Sequence, residues 1–294
     1  MTVLVRSLYG ADLPCLVKML NDEYSDSYEF EAFSENSLHL WLQGGKLEIL
    51  VAEEDNQIIG SAAYHNGYWG EEIVWVTVGE NPNRKQIEND LVNEAQKRVK
   101  RDAVFTAVDA HSPKINEWIE RGYKQEGGLY HMVSRLDSVM SLPGVPSDTI
   151  LRSLRPEEEK DFVETVNAGF ETERVKLGTI QLWKTESPPF NEEWVQVAEA
   201  NRRIVSIVAA KPDTNHNKLF GTSRGYLGPA TTLNEYRGKS LASALTVRAM
   251  NFLFEKKMDS VALFTSERNT PSVKLLQKIG FKVGHHWKFM RKHL

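Results

Sequence analysis

The stretch Glu235-Tyr236-Arg237-Gly238-Lys239-Ser240-Leu241-Ala242 decides how the chain is read. Before it, Tyr226 to Leu233 is a short apolar run interrupted by Gly228-Pro229, the pattern of a strand with a bulge. After it, Leu241, Leu245, Ala249 and Leu253 recur four apart, which makes one apolar helical face running to Phe254. Strand, tight turn and helix therefore follow one another directly. The first turn of a helix carries amides with no intrahelical acceptor, and the helix dipole makes that end partly positive. Gly238 lets an anion approach the main chain, and Arg237 and Lys239 add charge at the mouth. Such a turn is a cradle for a pyrophosphate.

A second strand, Val261 to Thr265, leads through Ser266-Glu267-Arg268-Asn269 into a helix from Pro271 to Ile279, stopped by Gly280 and followed by Phe281. Here the chain resembles the GNAT superfamily of acyl-CoA-dependent N-acyltransferases. Members carry a (Gln/Arg)-x-x-Gly-x-(Gly/Ala) loop after a bulged strand, then an Asn, a helix and a Gly-Phe. This chain has Arg237-Gly238-Lys239-Ser240-Leu241-Ala242, Asn269 and Gly280-Phe281, with Ser240 in place of the usual second glycine. The resemblance implies a mixed, mostly antiparallel sheet flanked by helices, an α/β (α+β) fold. It also implies acetyl-CoA as co-substrate, held by Thr231, Thr232, Leu233, Arg237, Gly238, Lys239, Ser240, Leu241 and Ala242, with Asn269 and Ser272 at the later helix. No metal is implied.

The implied reaction is attack of a primary amine on the thioester. It needs a base for the amine, preorganised donors for the carbonyl oxygen, and alignment of the two reactants. The donors come from main chain on the bulged strand, Ala230 to Leu233, with Thr231 and Thr232 side chains as ordinary strand formers. Glu267 and Ser266, at the end of the second strand, are the candidate catalytic side chains, and Tyr226 is a candidate phenol. Many members have a tyrosine one residue after a leucine of the last helix, acting as general acid; this chain has Leu276, which cannot protonate anything. Glu199 could serve as base, but Glu53 repeats it elsewhere in the chain, which favours a structural role. Asn269 is also well suited to cap its helix.

That repetition extends over the whole chain. Val5-Arg6-Ser7-Leu8 matches Leu151-Arg152-Ser153-Leu154, and Val51-Ala52-Glu53 matches Val197-Ala198-Glu199, both at a shift of 146 (5 to 151, 51 to 197). Pro113 matches Pro271 and Gly122-Tyr123-Lys124 matches Gly280-Phe281-Lys282 at 158, the added twelve positions falling where Asp213 to Arg224 lengthens a loop. Constant registers over long blocks are read as an internal duplication. Each copy reads strand, two helices, three strands, helix, strand, helix and two closing strands. The expected division is residues 1–137, a Ser/Pro/Gly-rich linker 138–149, and 150–294. Leu91 aligns under Leu245, which puts Arg84 under Gly238 and Glu88 under Ala242. The first copy thus lacks the small residues a pyrophosphate needs and is expected to bind no acyl-CoA.

The chain has 294 residues, enough for two ordinary domains, and its net charge of −4 offers no basic footprint for nucleic acid. No apolar run is long enough to span a bilayer, and a cytoplasmic location is expected. The single cysteine, Cys15, is expected as a core thiol and excludes an internal disulfide. The histidines have no metal-ligand spacing, and no Gly-x-Ser-x-Gly elbow occurs. The sequence therefore reads as a tandem protein whose C-terminal domain acetylates an amine of a small molecule or peptide, a cationic one on the weak hint of the net charge. The alternative is a non-catalytic acyl-CoA-binding or protein-interaction module. Oligomeric state is left open.

Overall fold

Leucines at 13, 16 and 20 recur on one face of the first helix and are all buried, while the polar residues between them face out. The same rule sets most elements of the computed structural model, which describes residues 3–45, 47–67 and 70–294. Cys15 lies off that stripe and is exposed, so it is not the core thiol expected.

In chain order the first copy contains β1 (Leu4–Ser7), α1 (Leu13–Tyr24), α2 (Glu35–Gln43), β2 (Leu47–Glu54), β3 (Gln57–Gly67) and β4 (Gly70–Val78). It continues with α3 (Arg84–Gln96), β5 (Ala103–Asp109), α4 (Lys114–Glu120) and β6 (Lys124–Arg135). The second repeats the order as β7 (Thr149–Ser153), α5 (Glu159–Phe170), α6 (Thr179–Glu186), β8 (Val195–Ala200) and β9 (Arg203–Pro212). A short α7 (Thr214–Phe220) follows, then β10 (Arg224–Thr232), α8 (Leu241–Glu255), β11 (Ser260–Ser266), α9 (Thr270–Ile279) and β12 (Lys282–His293). The twelve extra residues are therefore a helix and its flanks, and not the plain loop expected; Asn217 pins the insertion by bonding both the amide and the carbonyl of Arg224. One long strand closes each copy where two were expected.

Two compact units form, and they do not follow the division at 138–149. Unit 1 is Met1–Leu129 with His286–Leu294, and unit 2 is Tyr130–His285. In unit 1 the strand order is β1-β2-β3-β4-β5-β12, with β12 antiparallel to β5 from Trp287↔Asp109 to His293↔Ala103. In unit 2 it is β6-β11-β10-β9-β8-β7. Each copy's closing strand thus finishes the other copy's sheet. Met290 is 0% exposed in the unit 1 core beside Val104, Val108 and Tyr123, and Met132, its counterpart 158 residues earlier, is 0% exposed in the unit 2 core. The physical reason is the duplication itself: strands of like pattern fit either edge.

The 138–149 segment is fastened to α8 by Asn251, which accepts from the Met140 amide and donates to its carbonyl, both at 2.8 Å. Among the described residues no helix is long and apolar enough to cross a membrane.

Candidate active site

In unit 2, β10 pairs parallel with β11 only over Arg224–Tyr226 against Ser260–Ala262. Beyond Tyr226 the two strands part, while β10 continues along β9 to Thr232 with its register shifted between Leu227 and Ala230. The bulge expected at Gly228-Pro229 is there, with Gly228 at φ +152. The Leu233 amide donates to the Val205 carbonyl at 3.0 Å, in step with Thr231 opposite Ile207. Alternation in an antiparallel ladder then turns the amides of Thr232 and Ala230 the other way, to the side that β11 has left. Those two are the main-chain donors available for a carbonyl; Leu233 is not, since its amide is spent and its side chain is core.

The threonine side chains are committed to packing. Thr232 Oγ1 bonds Ser206 Oγ at 2.7 Å, and Ser206 Oγ donates to the Thr231 carbonyl at 2.9 Å. Thr231 lies so close to α5 that a Cβ on Gly169 would stand 2.1 Å from its hydroxyl, so the helix can seat there only with glycine.

At the next turn the Tyr236 amide donates to Leu233 and the Arg237 amide to Asn234, and regular bonding resumes with the Ala244 amide on the Ser240 carbonyl at 2.9 Å. Between them the amides of 238 to 243 meet no acceptor among the described residues. Gly238 at φ +78 and Ser240 at φ +60 both adopt the left-handed conformation, and Ser240 precedes α8 without capping it. A Cβ on Gly238 would meet nothing within 4 Å, so the row of amides is open. A helix start left uncapped in this way fits a pyrophosphate.

The basic residues of the loop do less than expected at the mouth. Arg237 donates from Nε to the Thr232 carbonyl and from Nη2 to that of Gly169, both at 3.2 Å, and so braces the loop against the end of α5. Asn234 adds a second tie, to Glu171 at 2.9 Å. Lys239 lies with its ammonium 4.7 Å from the centre of the Tyr236 ring, which is half-buried against the core.

Where the strands part, burial pushes the Tyr226 phenol above its ordinary value, against a main-chain hydrogen bond from Phe264 that pulls it down. The ring folds back over Gly228, and Phe264 stacks on the buried His131 with ring centres 4.6 Å apart. Further on, Ser266 ends β11 and Glu267 stands in the turn to α9; the Ser266 hydroxyl accepts from the Arg268 amide at 3.3 Å and its carbonyl from Asn269. Asn269 caps α9, accepting from the Ser272 amide at 3.4 Å. Leu276 is 4% exposed and part of the core. Sequence reasoning passed over Lys211, which stands across from Tyr226 on β9. Its only sequence signal is a lysine ending an otherwise apolar strand.

Glu199 accepts from Arg152, which also grips Glu158 through two nitrogens at 2.7 Å. Arg6, Asp12 and Glu53 make the same cluster in unit 1. In unit 1 the start of α3 is filled by a buried carboxylate: Glu88 pairs with Arg84 at 3.0 Å and Arg121 at 2.8 Å. Among the described residues no group of three or more His, Cys, Asp or Glu could hold a metal ion.

Residues 151–281, in the second half of the chain, match the acetyltransferase (GNAT) family. The whole chain has the tandem GNAT fold: it superposes on a GCN5-related N-acetyltransferase from Sphaerobacter thermophilus with TM-score 0.69 at 18% identity, over 99% of this chain and 95% of the other. A tandem GNAT protein from the clavulanic acid biosynthesis pathway superposes with TM-score 0.65 at 12% identity, over 99% and 98%. In sequence, the mycothiol acetyltransferase of Renibacterium salmoninarum is 25% identical over 173 residues, which are 54% of this chain and 49% of that protein. The chain spans about half the length of the curated mycothiol acetyltransferases it matches.

Proposed function

We propose that unit 2 transfers the acetyl group of acetyl-CoA to a primary amine of a small molecule or peptide. The observation that carries this reading is the open row of amides from 238 to 243 at the end of a strand that has lost its neighbour. Acetyl-CoA supplies the activated acetyl group. The amides at the start of α8 hold the pyrophosphate, and those of Thr232 and Ala230 hold the arm and the thioester oxygen. The amine nitrogen bonds to the acetyl carbon, the carbon–sulfur bond breaks, and the sulfur leaves with the electron pair. Tyr226, kept protonated by burial, gives its proton to that sulfur and takes the place of the tyrosine that Leu276 replaces. Ser266 and Glu267, where β11 ends, are assigned the relay of the amine proton outward. In unit 1 the Glu88–Arg121 pair stands where a phosphate would need to lie, and we read that unit as binding no acyl-CoA.

The test is calorimetry with acetyl-CoA, followed by thiol release over a panel of amines. Gly238→Glu is expected to abolish binding and to lower the melting temperature only slightly, since the new side chain enters open space and costs about 1–2 kcal/mol for its left-handed backbone. Unchanged affinity would remove the cradle from the site. The buried Leu276 supports a second reading, an acyl-CoA-binding module without chemistry; binding with no thiol release from any amine would favour it.

A further inference from the structure

Lys211 stands opposite Tyr226 in the β9–β10 register, on the face that meets Trp183 of α6. Its ammonium is 5.3 Å from the centre of the Trp183 ring and 5.7 Å from that of Tyr226. Among the described residues it has no ion pair and no hydrogen-bond acceptor. The carboxylates that bear on it are Asp213 and Glu186, and neither touches it. Asp213 is already held by Arg224, whose Nε and Nη2 both lie 2.8 Å from its Oδ2. Glu186 is exposed at the end of α6. From β11 and β6 come Phe264 and His131, which bring rings and no negative charge.

Two ring faces favour a cation, but they do not replace the hydrogen bonds that an ammonium loses on leaving water. Burial pulls Lys211 below the ordinary lysine range, while Glu186 and Asp213 act in the opposite sense. A half-buried cation with aromatic walls and no counter-ion is a place for an anion. It lies one residue pair across from the phenol assigned to the leaving sulfur.

We propose that Lys211 selects the acceptor: an amine whose far end carries a carboxylate or a phosphate, which pairs with the lysine while the amino group faces the thioester beside Tyr226. This deepens the acetyl-transfer reading and rests on it. It reverses the expectation of a cationic acceptor drawn from net charge, because a half-buried charge at contact distance outweighs a screened surface average.

The experiment compares the wild-type chain with Lys211→Met and Lys211→Glu. Thiol release from acetyl-CoA is measured over short primary amines of equal length ending in a carboxylate, a phosphate, a carboxamide or a second amine. The wild type is expected to prefer an acid-ended amine, with the carboxylate and phosphate arms showing which acid it takes. Lys211→Met should cut the ratio of kcat/KM for that acid over the carboxamide by roughly 10- to 100-fold, mostly through KM. Lys211→Glu should turn the preference toward the diamine. Calorimetry of the preferred acid should show binding to the wild type and its loss in Lys211→Met. A wild-type preference for the diamine, or an equal fall for every amine in Lys211→Met, would overturn the selection while leaving acetyl transfer standing. Acetyl-CoA binding with no thiol release from any amine would overturn both.

Discussion

Arg152 grips Glu199 through Nε at 2.8 Å, and Arg6 grips Glu53 through the same nitrogen at 2.7 Å, 146 residues earlier. A carboxylate bound this way in both copies, only one of which carries an open amide cradle, is a fastening of the first strand of each sheet and not a base. Glu199→Gln and Glu53→Gln should each lower stability by about 1.5–3 kcal/mol, the worth of a hydrogen bond to a charged group. Urea unfolding checks this. Thiol release per folded molecule should be the same in Glu199→Gln as in the wild type; a collapse of turnover would restore Glu199 as a candidate base.

Glu72 occupies in unit 1 the position of Tyr226, at the shift of 154 that aligns Leu91 with Leu245. Burial pushes its carboxyl up to about 7, against a main-chain hydrogen bond from Ala107. Between the ordinary value of 4.5 and about 7, the unfolded chain sheds this proton and the folded chain keeps it. Stability should therefore fall by about 3 kcal/mol as pH rises across that window, and level off above it. In Glu72→Gln this fall should vanish, as read from melting curves between pH 5 and 8. An unaltered slope would put the titration elsewhere.

Tyr226→Phe removes the proposed proton donor and keeps the ring. Thiol release should drop roughly 100-fold or more, within the range of general acid catalysis. Calorimetric affinity for acetyl-CoA should stay close to that of the wild type. A variant with full turnover would leave the sulfur to depart unprotonated.

Gly169→Ala drives a methyl into Thr231, and overpacking of this kind costs about 1–3 kcal/mol. Because Thr231 lies on the bulged strand, the variant should also weaken acetyl-CoA binding. Adding Thr231→Ala removes the nearer hydroxyl and should restore part of the stability in urea. No recovery in the double variant would mean that the glycine is needed for another reason.

Met290→Ala should cost about 2–5 kcal/mol, the range for emptying a buried core site, and the damage should fall on unit 1. Hydrogen exchange would report it as lost protection along β5, the partner of β12. Met132→Ala is the control, with its damage confined to unit 2. The reverse pattern would mean that the strands close their own copies.

The order of elements, the bulge and the glycine turn were legible because each is a local matter. Periodicity marks Leu241 to Leu253, and Gly228-Pro229 interrupts a strand whatever surrounds it. The choice of partner for β6 and β12 was not legible. Met132 and Met290 are equivalent residues of a duplicated pattern, and alternation along a strand carries no label for which β5-type edge it will meet. Lys211 escaped for a related reason: its meaning depends on Trp183, a helix away in sequence, and on Arg224 having taken the nearer carboxylate. Arg237 looked like a phosphate ligand because a sequence shows a charge, and not the carbonyls that occupy it.

The placement of β12 bears on how the chain is made. A protein of two consecutive domains can finish the first while the second is still being translated. Here β5 stays unpaired on one side until residues 287 to 293 leave the ribosome, more than 180 residues after Ala103. A nascent unit 1 must wait through the synthesis of unit 2 with an open sheet edge. Ribosome-stalled chains ending before β12 are the species in which chaperone capture should be greatest.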